Sequence, residues 1–258
     1  FTIDKIFIFK FLGKRSLGYY GIASGLSNLS FLFPLLLGSL IFPGFSESYG
    51  RTGEAFSLRG SVYKLTLMTA YVMSFILVII YWFLPFGVNI TLPEYNPGIS
   101  AARIALAGVL FLSVCIPAQS FLIAVNRQRD CLFMILSALV LKSLLSLFFI
   151  NKQMGIEGVA VASNIAYFSY GIFIIAYAFF CWERDVFKLL RYLCRIYLPF
   201  LYLFLLVIGL HYVKETQLLS DLGWRIQLLV YSISFVVLIV LPFGHLLRIR
   251  IIPFSVTR

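Results

Sequence analysis

Acidic side chains are scarce in this sequence: ten Asp and Glu stand among 258 residues. They are scattered, so no cluster of aspartates is available to hold a metal–nucleotide sugar. Charged residues of both signs make up only 12% of the chain, against roughly 25% in a soluble domain. That is too little to cover a water-exposed surface. Histidine is nearly missing, and His211 and His245 lie far apart near expected helix ends. The cysteines Cys115, Cys131, Cys181 and Cys194 form no CxxC pair, which favours free thiols over a zinc site or a disulfide framework. GxSxG, HExxH and Walker sequences are absent, as are an aromatic RNA-binding signature and zinc-finger spacing. No catalytic residue, metal or cofactor is expected, and the chain reads as something other than an enzyme.

What is present is apolar. Hydrophobic residues make up 61% of the chain and the mean hydropathy is +0.98. The apolar runs last about 20 residues, the length of a membrane helix, and do not alternate over the roughly 10 residues of a barrel strand. The fold class expected is all-α, a polytopic transmembrane helix bundle of about eight helices. The net charge of +11 fits basic cytoplasmic loops better than nucleic-acid binding. The chain opens on Phe inside an apolar run and has no secretory signal pattern. It therefore reads as the later part of a longer protein, with its first helix truncated.

In order, the expected helices lie near 1–12, 17–43, 65–84, 104–125, 131–150 and 158–182, forming one transmembrane bundle over 1–182. Pro117 predicts a kink in the fourth. Residues 45–63 are polar and read as a cytoplasmic surface loop. A linker at 183–197 follows, with Arg184, Lys188, Arg191 and Arg195 on one face and Val186, Leu189, Leu190 and Leu193 opposite. That is a basic amphipathic helix suited to an anionic headgroup layer. Residues 198–258 hold two further membrane helices, near 197–213 and 226–247, and a basic tail. Counting Lys and Arg in alternate loops puts the loops at 51–64, 127–129 and 184–195 and the C-terminus in the cytoplasm.

Several polar residues fall inside these apolar helices. In the second, Gly21, Ser24, Gly25 and Asn28 share a face, and in the sixth Ala160, Asn164, Tyr167 and Gly171 do. Such stripes serve close helix packing or line a wet cavity. Asp4 and Lys5 are adjacent, so they do not face each other. A charge at the bilayer centre costs about 2.5–3.5 kcal/mol, so each needs a partner or a polar cavity. Lys142 sits in the middle of the fifth helix, facing either a cavity that attracts an anion or an ion-pair partner such as Asp4. Arg103 lies at the outer mouth of the fourth. Substrate-path candidates are therefore Asp4, Lys5, Asn28, Arg103, Lys142 and Asn164. LGYYGIA (17–23) and MGIEGVA (154–160) share a Gly-x-x-Gly pattern and open two long uncharged helices, a sign of related helical units.

The run TIDKIFIFKFLG…LGYYGIA, residues 2–23, resembles the start of the second half of the Wzx-type (O-antigen) polysaccharide-biosynthesis flippases. These belong to the multidrug/oligosaccharidyl-lipid/polysaccharide exporter superfamily. The matching positions are Asp4-Lys5, Leu12-Gly13 and Gly18 through Ala23, and GIEGVAVAS (155–163) is similar to the family's entry to a late helix. The likeness covers residues 2–182. It implies the second lobe of a two-lobed, MATE-like transporter in a bacterial inner membrane, completed by a missing N-terminal lobe. The cargo implied is a polyprenyl-pyrophosphate-linked oligosaccharide for O-antigen, capsule or exopolysaccharide. The partners implied are that glycan, the bilayer and the glycan polymerase or export machinery, not nucleic acid. A drug or cation antiporter of the same superfamily, an integral membrane enzyme of glycan assembly and a structural membrane subunit are the alternatives.

Overall fold

The computed structural model describes residues 2–215, with side chains through residue 202. All regular structure among them is helical: α1 (Thr2–Thr52), α2 (Arg59–Thr91), α3 (Ile99–Ser113), α4 (Ile116–Ala124), α5 (Gln128–Asn151), α6 (Gly155–Phe180) and α7 (Val186–Glu215). Short 3-10 segments at Ala55–Leu58 and Pro93–Gly98 lead into α2 and α3. Five stretches are long and apolar enough to cross a membrane: Thr2–Thr52, Ala55–Thr91, Pro93–Ala124, Gln128–Asn151 and Gly155–Phe180. The expected helix near 226–247 lies outside the described residues.

Two compact units divide the chain at Ile196 and Tyr197; the first holds every candidate residue. Its opening helix is broken at Gly13, where φ is 85° and ψ is 175°. Side chains rarely tolerate that region, and glycine does so freely. The Tyr20 hydroxyl donates to the Asp4 carboxylate at 3.1 Å. A straight helix would hold residues this far apart about 24 Å from each other, so the arm 2–12 folds back beside 14–52. Lys14 and Arg15 are exposed just beyond the turn. The gap expected between the helices near 1–12 and 17–43 is there, as a hairpin tip.

Other boundaries shift for local reasons. The helix expected to end at Pro43 runs on to Thr52, because a proline inside a helix removes one donor without ending it when neighbouring turns hold. Glu47 and Arg51 pair across one turn at 2.6 Å, and Gly53 closes the helix at φ 67° with its N–H on the Tyr49 carbonyl at 2.8 Å. Most of the expected loop 45–63 is thus helical. The kink expected at Pro117 falls just before it: α3 ends at Ser113, and Pro117 takes the second position of α4. The linker 183–197 is no separate helix. Asp185 caps α7 by accepting from the Phe187 N–H at 2.9 Å, and the helix continues through Pro199. The two Gly-x-x-Gly stretches differ in structure. Gly155 turns the chain at φ 59° and a Cβ on Gly158 would meet that of Phe149 at 2.9 Å, whereas Gly18 and Gly21 lie inside α1 with nothing closer than Tyr95 at 3.8 Å.

Small hydroxyl-bearing residues sit inside beside an apolar core that includes Ile8, Met73, Phe121 and Ile174, and the exterior is greasy. Ser24, Ser27 and Ser30 of α1, Thr66, Thr69 and Ser74 of α2, and Ser113, Ser146 and Ser163 are buried. Leu29, Leu36, Leu40, Phe133, Val140 and Leu144 face outward. Some of these hydroxyls are satisfied within their own helix: Thr66 donates to the Val62 carbonyl at 2.8 Å and Ser113 to the Val109 carbonyl at 2.6 Å, whereas those of Ser27, Ser74 and Ser146 find no partner among the described residues. Small polar residues inside and apolar ones outside are what helix packing in lipid favours. The turns at Gly13, 92–98 and 151–155 lie at one end of this unit. There the rings of Tyr19 and Tyr95 meet edge-on at 6.2 Å, and Ser100 of α3 donates to Glu157 of α6.

Candidate functional site

Three chain segments converge on Asp4. Its carboxylate is fully buried, and Lys142 of α5 lies with Nζ 2.9 Å from Oδ1 and 2.9 Å from Oδ2. The same ammonium donates to the Tyr167 hydroxyl of α6 at 2.6 Å, its Nζ 4.7 Å from that ring's centroid. Ser163, one turn before Tyr167, places Oγ 3.3 Å from each Asp4 oxygen, and Tyr20 donates from the long arm of α1. The carboxylate thus receives an ammonium and two hydroxyls, and the ammonium's three protons have three acceptors in reach. Asp4 and Lys142 each stand nine residues from the turn at the Gly13 end. At the helical rise this is about 13 Å, past a headgroup layer about 5–8 Å deep and inside the hydrocarbon.

The pair is what the sequence leaves as one of two options for Lys142, and the partner of Asp4 lies within this chain. Its physical effect is to tie the short arm of α1 to α5 and α6. Along α5 the described buried residues are Cys131, Lys142 and Ser146, so this apolar helix is held through its polar face. Removing one partner of such a pair strands a charge in a medium that does not solvate it.

The remaining candidates are not gathered here. Lys5 is exposed, as adjacency on a helix to buried Asp4 requires. Asn28 is exposed together with Gly21 and Gly25, whereas Ser24 of the same expected stripe is buried. The face that packs is Tyr20, Ala23, Ser27 and Ser30, about one residue round the helix. Asn164 binds helix to helix: its Nδ2 donates to the Ile104 carbonyl of α3 at 2.7 Å, in space that Gly108 leaves open. A Cβ on Gly108 would stand 2.5 Å from Asn164 Oδ1. Arg103, one residue before Ile104, carries its guanidinium over the Tyr81 ring at 4.8 Å, and its buried Nε finds no acceptor among the described residues.

At the other end, Arg127 donates to the Tyr177 hydroxyl at 2.6 Å, and that hydroxyl donates to Asp130. The bond to Tyr177 holds the Arg127 guanidinium above its usual range. Arg184, Lys188, Arg191 and Arg195 are all exposed as a basic stripe. Lys188 pairs with Glu183 at 3.0 Å, and Arg195 donates to Tyr63 at 2.9 Å. The packed side overlaps the expected apolar face only in part. Leu189, Tyr192 and Ile196 are buried, whereas Val186 and Leu190 are more than half exposed. Tyr192 decides this by stacking on Tyr63 at 4.6 Å.

Tyr20 and Ser163 were not singled out by sequence, and Tyr167 appeared only as a neighbour of Asn164. The available signal was the spacing of Ser163 and Tyr167, which puts two hydroxyls on one face, and of Lys142 and Ser146, which does the same on the adjoining helix. No family model, curated protein or solved structure matches the chain.

Proposed function

We propose that this chain is one lobe of a transporter that moves a polyprenyl-pyrophosphate-linked oligosaccharide across a membrane. The observation that carries the reading is the set of polar groups left outward at membrane depth. Lys5 is exposed about 12 Å from the Gly13 turn and Asn28 about 22 Å from it, by helical rise. An exposed lysine at that depth is costly against lipid, so this face suits a second lobe and a wet cleft between the two. Asp4, the acidic residue at the same depth, is already paired with Lys142. What is left for a cargo is cationic and amide, which suits a pyrophosphate and sugar head and disfavours a cationic drug. The opening run 2–23, which resembles the flippases, points the same way.

On this reading the buried pair is a brace for the lobe, and the cargo's apolar tail stays in the bilayer. The activity is transport, with no covalent step. The test is reconstitution of the intact transporter in liposomes carrying a fluorescent polyprenyl-pyrophosphate oligosaccharide. Protein-dependent loss of leaflet asymmetry, reduced by Lys5→Ala and Asn28→Ala, is the expected result. Unchanged asymmetry with folded protein, or export of a cationic dye instead, refutes it.

A further inference from the structure

Arg103 differs from Lys142, the buried cation of α5. Lys142 spends its donors on Asp4 and Tyr167, whereas Arg103 has its guanidinium stacked on Tyr81 and makes no ion pair among the described residues. Glu157, which α6 brings to the start of α3, takes the hydroxyl of Ser100, one turn before Arg103 on the same helix. A guanidinium carries five N–H donors in a flat fork that matches an oxyanion, and an aromatic face beneath it fixes the plane of that fork. Arg103 stands five residues beyond Gly98, about 7 Å from the end of the unit by helical rise. That is where a headgroup layer about 5–8 Å deep meets hydrocarbon. The oxyanions present at that level are phosphates.

We infer that Arg103, held flat by Tyr81, is the binding site for a phosphate oxyanion carried by a lipid. The inference deepens the transport reading and rests on it for the identity of the lipid: a polyprenyl phosphate if the cargo docks there, an ordinary anionic phospholipid otherwise. The chemistry of recognition is the same in both. Lys142 is excluded as an equivalent site because an anion there would compete with a carboxylate already in contact.

The test is native mass spectrometry of the 258-residue chain in maltoside micelles, which carry no phosphate. Undecaprenyl phosphate, phosphatidylglycerol, inorganic phosphate and undecaprenol are added in turn. Arg103→Gln is expected to weaken the bound lipid phosphate by about tenfold or more, as loss of a charged hydrogen-bonding partner does. Arg103→Lys should fall between, because it keeps the charge and loses the fork, and Tyr81→Phe should bind like the wild type. Undecaprenol binding and the melting temperature are read alongside, so that misfolding is not mistaken for a lost site. Equal binding by wild type and Arg103→Gln overturns the proposal, as does wild-type binding of undecaprenol as tight as that of undecaprenyl phosphate. An Arg103-dependent preference for undecaprenyl phosphate supports both site and cargo. An Arg103-dependent preference for phosphatidylglycerol keeps the site and removes the glycan carrier as its ligand. Unchanged lipid binding in Arg103→Gln beside intact flipping by the full transporter overturns the site and leaves the transport reading standing.

Discussion

Lys142 and Arg103 are both cations on apolar helices, and the protein treats them in opposite ways. Lys142 is enclosed about 13 Å from the Gly13 end, with Asp4 at 2.9 Å and Tyr167 at 2.6 Å. Arg103 is shallower, partly exposed and supported by a ring instead of a counter-charge. The difference teaches that depth alone does not mark a ligand site. A deep charge whose every donor is used is a fastener between helices. A shallower charge resting on an aromatic face keeps capacity for something outside the protein.

The largest effect should come from breaking the fastener. Lys142→Ala leaves the Asp4 carboxylate buried with two hydroxyls as its remaining support, and Asp4→Asn leaves the ammonium without its counter-charge. Loss of one partner of a buried pair costs about 3–5 kcal/mol. Thermal unfolding in detergent should show either single variant strongly destabilised. The double variant Asp4→Leu with Lys142→Met should recover most of the loss, since apolar replacement of both ends is often neutral. If the double variant is as unstable as the singles, the network does more than neutralise charge. If the singles are stable but a transport assay fails, the pair belongs to the path and the contrast with Arg103 collapses.

A smaller loss tests the wall between the two cations. Asn164 bridges to the Ile104 carbonyl beside Arg103 and is three residues from Tyr167, the acceptor of Lys142. Gly108→Ala would push a methyl to within 2.5 Å of Asn164 Oδ1, and overpacking of this kind costs about 1–3 kcal/mol. Asn164→Ala keeps the close approach and loses only an interhelical hydrogen bond, about 0.6 kcal/mol in membrane helices. Pairing Gly108→Ala with Asn164→Ala should therefore be milder than Gly108→Ala alone, read from the same melting curves. A sum of the two losses would mean that the glycine is there for another contact.

The helical, membrane-spanning class was legible in the sequence because runs of about 20 apolar residues leave few other options. The break near Gly13 and the kink near Pro117 were legible because those residues act through the backbone. Partners across space were less so. Asp4 and Lys142 are 138 residues apart, and the sequence gives each a need for a partner without giving the direction in which its helix faces. The stripe Gly21, Ser24, Gly25 and Asn28 illustrates this: spacing puts the four on one side of the helix, yet only Ser24 is buried and the other three are exposed. In a soluble protein the apolar side of a helix names its buried face. Here nearly every position is apolar, so the inward face is set by small and hydroxyl residues, a weaker signal. Helix ends were misjudged at Pro43 and at 197 because proline inside a membrane helix does not stop it.

The smallest expected effect on stability sharpens the comparison most. Arg103→Gln removes a stack on Tyr81 and no ion pair among the described residues. A cation–π contact of partial exposure contributes about 0.5–1 kcal/mol, well below the loss foreseen for Lys142→Ala. The melting temperature of Arg103→Gln in lipid-free detergent should accordingly stay close to that of the wild type. Adding a phosphate-bearing lipid should then separate the two proteins, because a ligand that binds the folded state raises its stability in proportion to occupancy. The wild type gains and Arg103→Gln does not. For Lys142→Met with Asp4→Leu the gain should persist, since their site is closed to the lipid. A large loss in Arg103→Gln without lipid would make Arg103 a second fastener, and the two cations would then differ in depth alone.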